Sequence, residues 1–270
     1  MKTKQLKEEA DFFNSIARRV NINKIKPSLG LNTKRREGSF IHKYLPNNLK
    51  NKRVLDLGCG YGASSVYFAK KGARVVAIDA SPESIKLAKK LARQYKVRDR
   101  VKFITGDVEQ LILEKDTYDI VFGKAILHHL TISKVVPIIH RCLVRKGGKA
   151  IFIEPLGFSP FFSLYDRLFR RIARTSGELR LKQNDLSIFQ TTFTNTNWIA
   201  VDILPCLLYM VYFCNLIIKN DVKPYWHRKI YDAEDNTMIG QVHTLLDRLD
   251  NFLPCWVQKF GWKIIICSTK

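Results

Sequence analysis

Residues 53–63 constrain the fold more than any other stretch of this chain, and they read RVLDLGCGYGA. The segment 53–57 predicts a short buried strand, because β-branched and leucine residues form an apolar run that glycine ends. Three glycines follow at alternate positions: Gly58, Gly60 and Gly62. Glycine permits positive φ and lets the backbone approach a ligand, because no Cβ is in the way. A helical pattern follows from Ala63, so the stretch predicts the strand, turn and helix that open a parallel α/β unit.

Acidic residues mark the carboxyl ends of the first three predicted strands. Asp56 lies at the end of the first strand, and Asp79 closes the second, which is predicted at 74–78. Asp107 follows the third strand, predicted at 101–104. Ligands of open parallel sheets bind beyond the carboxyl ends of the strands. One acid after a glycine would be an ordinary turn residue, but three acids at consecutive strand ends indicate a binding site.

The glycine spacing alone leaves the class of ligand open. Gly58, Gly60 and Ala63 also fit the dinucleotide fingerprint G-x-G-x-x-G/A. Asp79 follows at about the 20-residue distance that this fingerprint requires. Asp56 distinguishes the ligands, because its carboxylate would repel a pyrophosphate by roughly 1–4 kcal/mol at about 4 Å and attract a cation equally. A glycine turn that binds no ligand is the remaining interpretation.

The motif D-x-G-x-G-x-G at residues 56–62 resembles that of the class I S-adenosylmethionine-dependent methyltransferases. Their cofactor carries an ammonium and a sulfonium and has no phosphate. The resemblance covers roughly residues 50–155. It implies a Rossmann-like α/β fold: a seven-stranded, mostly parallel sheet, helices on both faces, an N-terminal helical lid and a helical insertion before the last strand. The implied parts are a lid at 1–50, a cofactor-binding core at 51–157 and an acceptor-side region at 158–270.

The resemblance also implies roles for individual residues, with S-adenosylmethionine as the cofactor. The Asp79 carboxylate would accept hydrogen bonds from both ribose hydroxyls, and Asp107 would accept one from the adenine amino group. The backbone N–H of Val108 would meet an adenine ring nitrogen. The expected cofactor-binding set is Asp56, Gly58, Gly60, Gly62, Asp79, Asp107, Val108 and Lys124. No metal is expected, because the six cysteines show no paired spacing.

The candidate catalytic residues follow the fourth and fifth predicted strands, at 118–122 and 149–153. In the family, the segment after the fourth strand forms the wall between cofactor and acceptor. A hydroxyl or protonated amine acceptor needs a base, and histidine titrates in the suitable range. His128 and His129 are the candidate bases, and Glu154 would orient the acceptor or serve as an alternative base. A purely structural histidine is the competing interpretation.

The net charge of +22 favours anionic surfaces or substrates, although a solvated basic surface would also explain it. Residues 158–174 predict an amphipathic helix with an aromatic face and an arginine face. Residues 198–204 predict the sixth strand. Residues 206–218 predict an apolar helix that packs inside the protein or in a dimer interface, dips into a membrane surface or spans a membrane. Asp202 and Pro205 argue against one continuous spanning helix, because proline interrupts helices.

These observations predict a cytoplasmic methyltransferase of a small apolar or membrane-associated acceptor, peripherally bound to anionic membranes; the methylated atom stays open. Unpaired cysteines and the lack of an apolar leader favour the cytoplasm. RNA or protein acceptors are the alternative. Nucleic acid is disfavoured, because the sequence has no added RNA-binding module and no asparagine-proline-aromatic-aromatic tetrad. A non-catalytic cofactor-binding partner protein is the third hypothesis, which a blocked cleft around His128 and Glu154 would indicate.

Overall fold

The structure is a computed structural model that describes residues 2–29, 35–110, 112–157, 159, 181–219 and 237–270. The α-helices in these ranges are α1 (Lys2–Ala17), α2 (Arg36–His42), α3 (Ala63–Lys70), α4 (Pro82–Gln94), α5 (Ile132–Cys142), α6 (Gln183–Thr192), α7 (Pro205–Ile218) and α8 (Met238–Leu249). The strands are β1 (Arg53–Leu57), β2 (Arg74–Asp79), β3 (Val101–Thr105), β4 (Ile120–Lys124), β5 (Lys149–Pro155), β6 (Asn195–Val201) and β7 (Lys263–Thr269).

The strands of the described residues form one seven-stranded sheet in the order β3-β2-β1-β4-β5-β7-β6. The strands β1 to β5 run parallel, whereas β7 is antiparallel to both β5 and β6. The chain changes direction across the sheet between β1 and β4, so a crevice opens at the carboxyl ends of these two strands. This topology confirms the predicted fold, and the insertion between β6 and β7 contains α7 and α8.

Side chains alternate between the two faces of the sheet along each strand. Apolar side chains are buried on both faces, and helices cover both. Leu55 and Phe152 are buried on one face, together with residues of α5 and α6. Val54 and Phe122 are buried on the opposite face, together with residues of α2 and α3. No helix within the described ranges has both the length and the apolar content that a membrane crossing requires.

Several strand boundaries differ from the sequence prediction, among them the starts of β4 and β6. β4 begins at Ile120, because Tyr118 instead forms an isolated bridge with Leu143. β6 begins at Asn195, earlier than the predicted sixth strand within 198–204; it lies at the sheet edge, where polar residues can face solvent. Apart from Ser159, the helix predicted at 158–174 lies outside the described residues.

A buried polar cluster joins α2, α7 and α8 to the ends of β6 and β7. We define it by Arg35, Glu37, Asp202, Tyr209, His243, Asp247, Asp250 and Lys263. Lys263 Nζ lies 2.7 Å from Glu37 Oε2 and 2.9 Å from Asp202 Oδ2. The Tyr209 hydroxyl donates to Asp202 Oδ2 at 2.9 Å. Lys263 lies opposite Pro155 in the sheet, so the cluster is at the carboxyl end of β5.

Asp247 is the member of this cluster whose pKa is raised furthest above that of an exposed carboxyl. Its side chain is buried, and one carboxylate oxygen accepts the Arg36 N–H at 2.7 Å. Burial, more than any other cause, raises the pKa of Asp247 to about 7. The carboxylates of Asp202, Glu37 and Asp250 raise this pKa further, whereas the bond from Arg36 lowers it.

We expect Asp247→Asn to stabilise the protein at neutral and higher pH. The folded state holds the Asp247 proton more tightly than the unfolded chain, where the pKa is about 3.9. The stability from this group is therefore complete below about pH 4 and is lost as pH rises through about 7. The amide cannot ionise, so urea unfolding near pH 8 should show a gain of about 2–4 kcal/mol that vanishes near pH 4. The exposed Asp99→Asn is the control, and a loss of stability at every pH would contradict the prediction.

Candidate functional site

Two of the three glycines in the turn after β1 lie close to other residues, and the third faces open space. A Cβ on Gly58 would lie 2.7 Å from Ile126 Cδ1, and one on Gly62 would lie 2.8 Å from the Ala88 Cβ. A Cβ on Gly60 would meet nothing within 4 Å, although Gly60 also has a positive φ of +52°. Glycine at 58 and 62 therefore permits close packing, whereas at 60 it leaves the turn open to a ligand.

The Asp79 carboxylate lies directly beside this turn. It accepts the Gly60 N–H at 2.8 Å and the Ser81 N–H at 2.9 Å, one on each oxygen. Burial raises the pKa of Asp79, while these two hydrogen bonds and the nearby His129 oppose the shift. A carboxylate has about four acceptor positions, so two remain for further donors. Asp79 can therefore hold the turn and still accept two ribose hydroxyls.

Asp107 and Val108 follow β3 at the same edge of the sheet. Asp107 Oδ1 accepts the Glu109 N–H at 2.9 Å, which leaves Oδ2 without a partner among the described residues. Val108 begins a 3-10 helix, Val108–Gln110, in which the first N–H groups have no partner within the helix. The pair therefore presents one acceptor and one donor side by side, as the edge of an adenine requires.

Asp56 is placed deeper than the sequence suggested. Its side chain is buried, and Oδ2 accepts the Ser64 hydroxyl at 2.7 Å and the Ser65 hydroxyl at 2.5 Å. Burial raises the pKa of Asp56 to about 6, against the effect of the two serine bonds and with a smaller rise from the Asp79 charge. Asp56 thus fastens the first turn of α3 beneath the glycines, and direct contact with a cationic ligand stays a prediction.

His128 and Glu154 form a hydrogen-bonded pair across β4 and β5. His128 Nδ1 lies 2.7 Å from Glu154 Oε2. The other oxygen, Oε1, accepts the N–H groups of Ile126 and Leu127, both at 2.8 Å. These bonds fix Glu154 against the 3-10 helix Leu127–His129 and orient the His128 ring. Nδ1 is thus the nitrogen that faces the carboxylate, and a proton on Nδ1, donated to an ionised Glu154, would leave Nε2 as an acceptor.

His129 faces the N-terminal helix α1 rather than Glu154. Its Nδ1 lies 3.4 Å from Glu9 Oε1, and its ring meets the Phe13 ring edge-on at 5.9 Å. Asn14 fastens the same helix to the start of α4, where its Oδ1 accepts the Ser81 hydroxyl at 2.7 Å. The helix α1 therefore packs beside His129 and the start of α4, and its role as a lid over the cofactor stays a prediction.

Lys124 is the last residue of β4, and its backbone lies opposite Ile153 in the sheet. The next residue, Ala125, has a φ of +54°, which is rare for a residue other than glycine. Its N–H donates to the Ile153 carbonyl at 2.8 Å. This sharp change of direction turns the chain from β4 toward His128. A cofactor contact by Lys124 stays a prediction.

Several residues of the site were not found from the sequence. Ser64 and Ser65 donate hydrogen bonds to Asp56, while Glu9 and Asn14 link α1 to the site. The serines could have been found, because they lie in the first turn of the helix that follows the acidic strand end and the glycine turn. The sequence carried no signal for Glu9 or Asn14, because their contacts join segments far apart in the chain.

The arrangement fits S-adenosylmethionine in its donor and acceptor pattern. The open side of Gly60 admits a ligand beside the spare acceptor positions of Asp79. Asp107 and Val108 provide the acceptor and donor for an adenine at the next strand end. The buried acids would disfavour a pyrophosphate at this turn. The residues that the sequence singled out lie at this edge of the sheet, with Asp56 in a supporting position, and their contacts with the cofactor stay predictions.

Known proteins share this segment and this fold. Residues 54–148 match the family model described as "Methyltransferase domain". A ubiquinone biosynthesis O-methyltransferase of Methylocella silvestris is 35% identical over 114 residues, which are 42% of this chain and 43% of the relative. The chain thus spans less than half the length of this curated relative.

Two solved structures share the fold at lower identity. The phosphoethanolamine N-methyltransferase 2 of Haemonchus contortus, in complex with S-adenosyl-L-methionine, aligns with a TM-score of 0.55 and 19% identity, over 86% of this chain and 51% of that chain. The geranyl diphosphate C-methyltransferase of Streptomyces coelicolor also aligns with a TM-score of 0.55, at 14% identity, over 86% and 79% of the two chains. With the glycine turn and strand order described above, these matches identify residues 54–148 as a class I S-adenosylmethionine-dependent methyltransferase domain.

Proposed function

We propose that this chain is an S-adenosylmethionine-dependent methyltransferase of a small apolar acceptor, with His128 as the general base. The His128–Glu154 pair is the observation that carries the proposal. It supplies an oriented ring nitrogen at the carboxyl edge of the sheet, and the His128 side chain is 14% exposed. The relative from Methylocella silvestris, named as an O-methyltransferase, supports a hydroxyl as the acceptor group.

The proposed chemistry needs little from the protein beyond alignment and one proton transfer. S-adenosylmethionine, when bound, would supply an electrophilic methyl group on a sulfonium that leaves as a neutral thioether. His128 Nε2 would accept the proton of the acceptor hydroxyl as the oxygen–carbon bond forms. Glu154 would stabilise the resulting imidazolium through Nδ1, since its carboxylate is already in hydrogen-bond contact.

An apolar acceptor is supported by the residues between β6 and β7. The helix α7 reads PCLLYMVYFCNLII, without a charged residue. It follows β6, whose end lies at the same edge of the sheet as Glu154. The two alternatives, an RNA or protein acceptor and a non-catalytic partner protein, are outcomes of the test below.

The acceptor class is tested by methyl transfer from a donor with an isotopically labelled methyl group. The full chain is incubated with this donor and a cell extract, and the products are separated into small molecules, RNA and protein. We expect the label in a small molecule that partitions into organic solvent. Label in RNA or protein would favour that alternative, and no label in any fraction would favour the non-catalytic hypothesis.

We expect Asp79→Ala to weaken the binding of S-adenosylhomocysteine by roughly 2–3 kcal/mol, because two ribose hydroxyls lose a charged acceptor. Isothermal titration calorimetry measures this loss, which corresponds to roughly 30- to 150-fold in Kd. Asp99→Ala, at an exposed position, is the matched control and should bind as the unchanged protein does. Unchanged affinity of a folded Asp79→Ala variant, or binding of NAD by the unchanged chain, would refute the cofactor assignment.

A further inference from the structure

The helix α8 has its polarity reversed relative to a helix on the surface of a soluble protein. It buries Gly240, His243, Thr244 and Asp247. Its exposed side carries large apolar residues: Met238, Ile239, Val242, Leu245 and Leu249. A surface helix ordinarily turns its apolar stripe to the core and its polar residues to water. The outward side of α8 therefore needs a partner that is not water.

The helix α7 presents a second exposed apolar face beside α8. Its residues Cys206, Tyr209 and Leu216 are buried, whereas Leu207 and Val211 are exposed. The Tyr209 hydroxyl lies 3.1 Å from His243 Nε2, so the two helices meet at the buried polar cluster. The outward sides of both helices consequently face away from that cluster.

Exposed apolar side chains concentrate in this one part of the molecule. Among the described residues, twelve large apolar side chains are exposed, and eleven of them lie between Leu207 and Trp256. The twelfth is Ile112, which follows β3 at the opposite edge of the sheet. Scattered exposure is normal for soluble proteins, but a concentrated set of this kind marks an interaction surface. We name this set, on α7, α8, Phe252 and Trp256, the apolar surface.

We propose that the apolar surface docks onto an anionic lipid bilayer. The net charge of +22 attracts an anionic headgroup layer, whereas a second copy of the same chain would be repelled. Exposed Lys219 directly follows α7, and exposed Arg248 lies on α8. The charged ends of these side chains can reach headgroups while their aliphatic parts remain among apolar atoms. Trp256, which is 69% exposed, has the amphipathic ring that is favoured at membrane interfaces.

The position of the apolar surface connects it to the candidate site. Lys263, beneath α7 and α8, pairs across the sheet with Pro155, the residue after Glu154. Docking would thus place the acceptor side of the sheet toward the bilayer. The docking itself does not depend on the proposed catalysis, and its test uses no activity readout.

The test is co-sedimentation of the full chain with vesicles. Vesicles of phosphatidylcholine and phosphatidylglycerol are compared with vesicles of phosphatidylcholine alone, at low and high salt. We expect binding to the anionic vesicles that weakens with salt but does not disappear, because salt screens only the electrostatic part. The double variant Val211→Glu, Leu245→Glu should bind the vesicles more weakly. Its partition coefficient should fall by on the order of tenfold per site, because each change removes apolar area that docking would bury in the bilayer.

Ile112→Glu is the matched control, because it changes an exposed apolar residue, 96% accessible, outside the apolar surface. This control should bind as the unchanged chain does, and thermal unfolding should show that all variants are folded. Failure of the unchanged chain to bind, or equal binding of the double variant, would overturn the proposal. A dimer would also overturn the proposal, if sedimentation velocity shows it without vesicles, the double variant abolishes it and the unchanged chain does not bind vesicles.

Discussion

Replacing His128 with glutamine should reduce turnover by on the order of 10²-fold or more while the affinity for S-adenosylhomocysteine is retained. The reason is that glutamine keeps a polar contact near Glu154 but has no nitrogen that can accept the acceptor proton. Steady-state kinetics measure the loss in kcat, and calorimetry with the demethylated product of the cofactor measures the retained affinity. Removal of a structural residue would instead lower stability and cofactor affinity together.

The neighbouring His129 provides a matched control for this prediction. Its ring lies 4.2 Å from the His128 ring between centroids, but its side chain also contacts Glu9 and Phe13 of α1. We therefore expect His129→Gln to keep kcat within a few-fold. Full turnover in both variants would mean that alignment alone accelerates the reaction.

Glu154 extends the same prediction as a positioning residue. In Glu154→Gln the amide oxygen can still accept the N–H groups of Ile126 and Leu127, so the 3-10 helix should persist. An amide nitrogen at the position of Oε2 would donate to His128 Nδ1 and reverse the tautomer of the ring. We expect a loss in kcat without a change in thermal stability, whereas a simple structural role would lower stability instead.

Much of the sheet and of its ligand edge could be predicted from the sequence. Apolar runs ended by glycine or acid predicted the strands, and the rule that ligands gather at carboxyl strand ends brought Asp79 and Asp107 together. These inferences succeed because the hydrophobic periodicity of a strand and the residues that form a turn are local properties of the sequence. The boundary of β6 was misplaced because its polar start, at Asn195, is tolerated only at a sheet edge, and edge position depends on the whole topology.

The His128–Glu154 contact depends on register, which the sequence did not reveal. Both residues were named as candidates, but separately, and 26 positions separate them in the chain. They meet because Lys124 pairs with Ile153, so the turn after β4 lies over the end of β5. The sequence likewise did not reveal that α8 buries its polar side, because His243 and Asp247 are buried through contacts with distant Tyr209 and Arg36.

The largest effect on stability that we expect comes from a substitution in the buried polar cluster. Lys263→Met should lower the free energy of unfolding by about 3–5 kcal/mol, because breaking a buried ion pair leaves uncompensated buried charge. Lys263 Nζ contacts both Glu37 and Asp202, whose side chains are buried. Burial would raise the pKa of Asp202, but Lys263 and His243 more than offset it and hold this pKa below its usual value. Urea unfolding near neutral pH measures the loss.

Lys86→Met is the matched control, because the Lys86–Glu83 pair has the same length of 2.7 Å but an exposed lysine. Exposed pairs contribute about 0–1 kcal/mol, so burial and not ion-pair length should decide the difference. Adding Glu37→Gln and Asp202→Asn to Lys263→Met should recover part of the lost stability, because the uncompensated charges are then gone. The cost of Lys263→Met alone should also shrink on acidification, as Asp202, whose pKa Lys263 holds down, binds a proton. Equal costs for Lys263→Met and Lys86→Met would show that the cluster does not hold α2, α7 and the end of the sheet together.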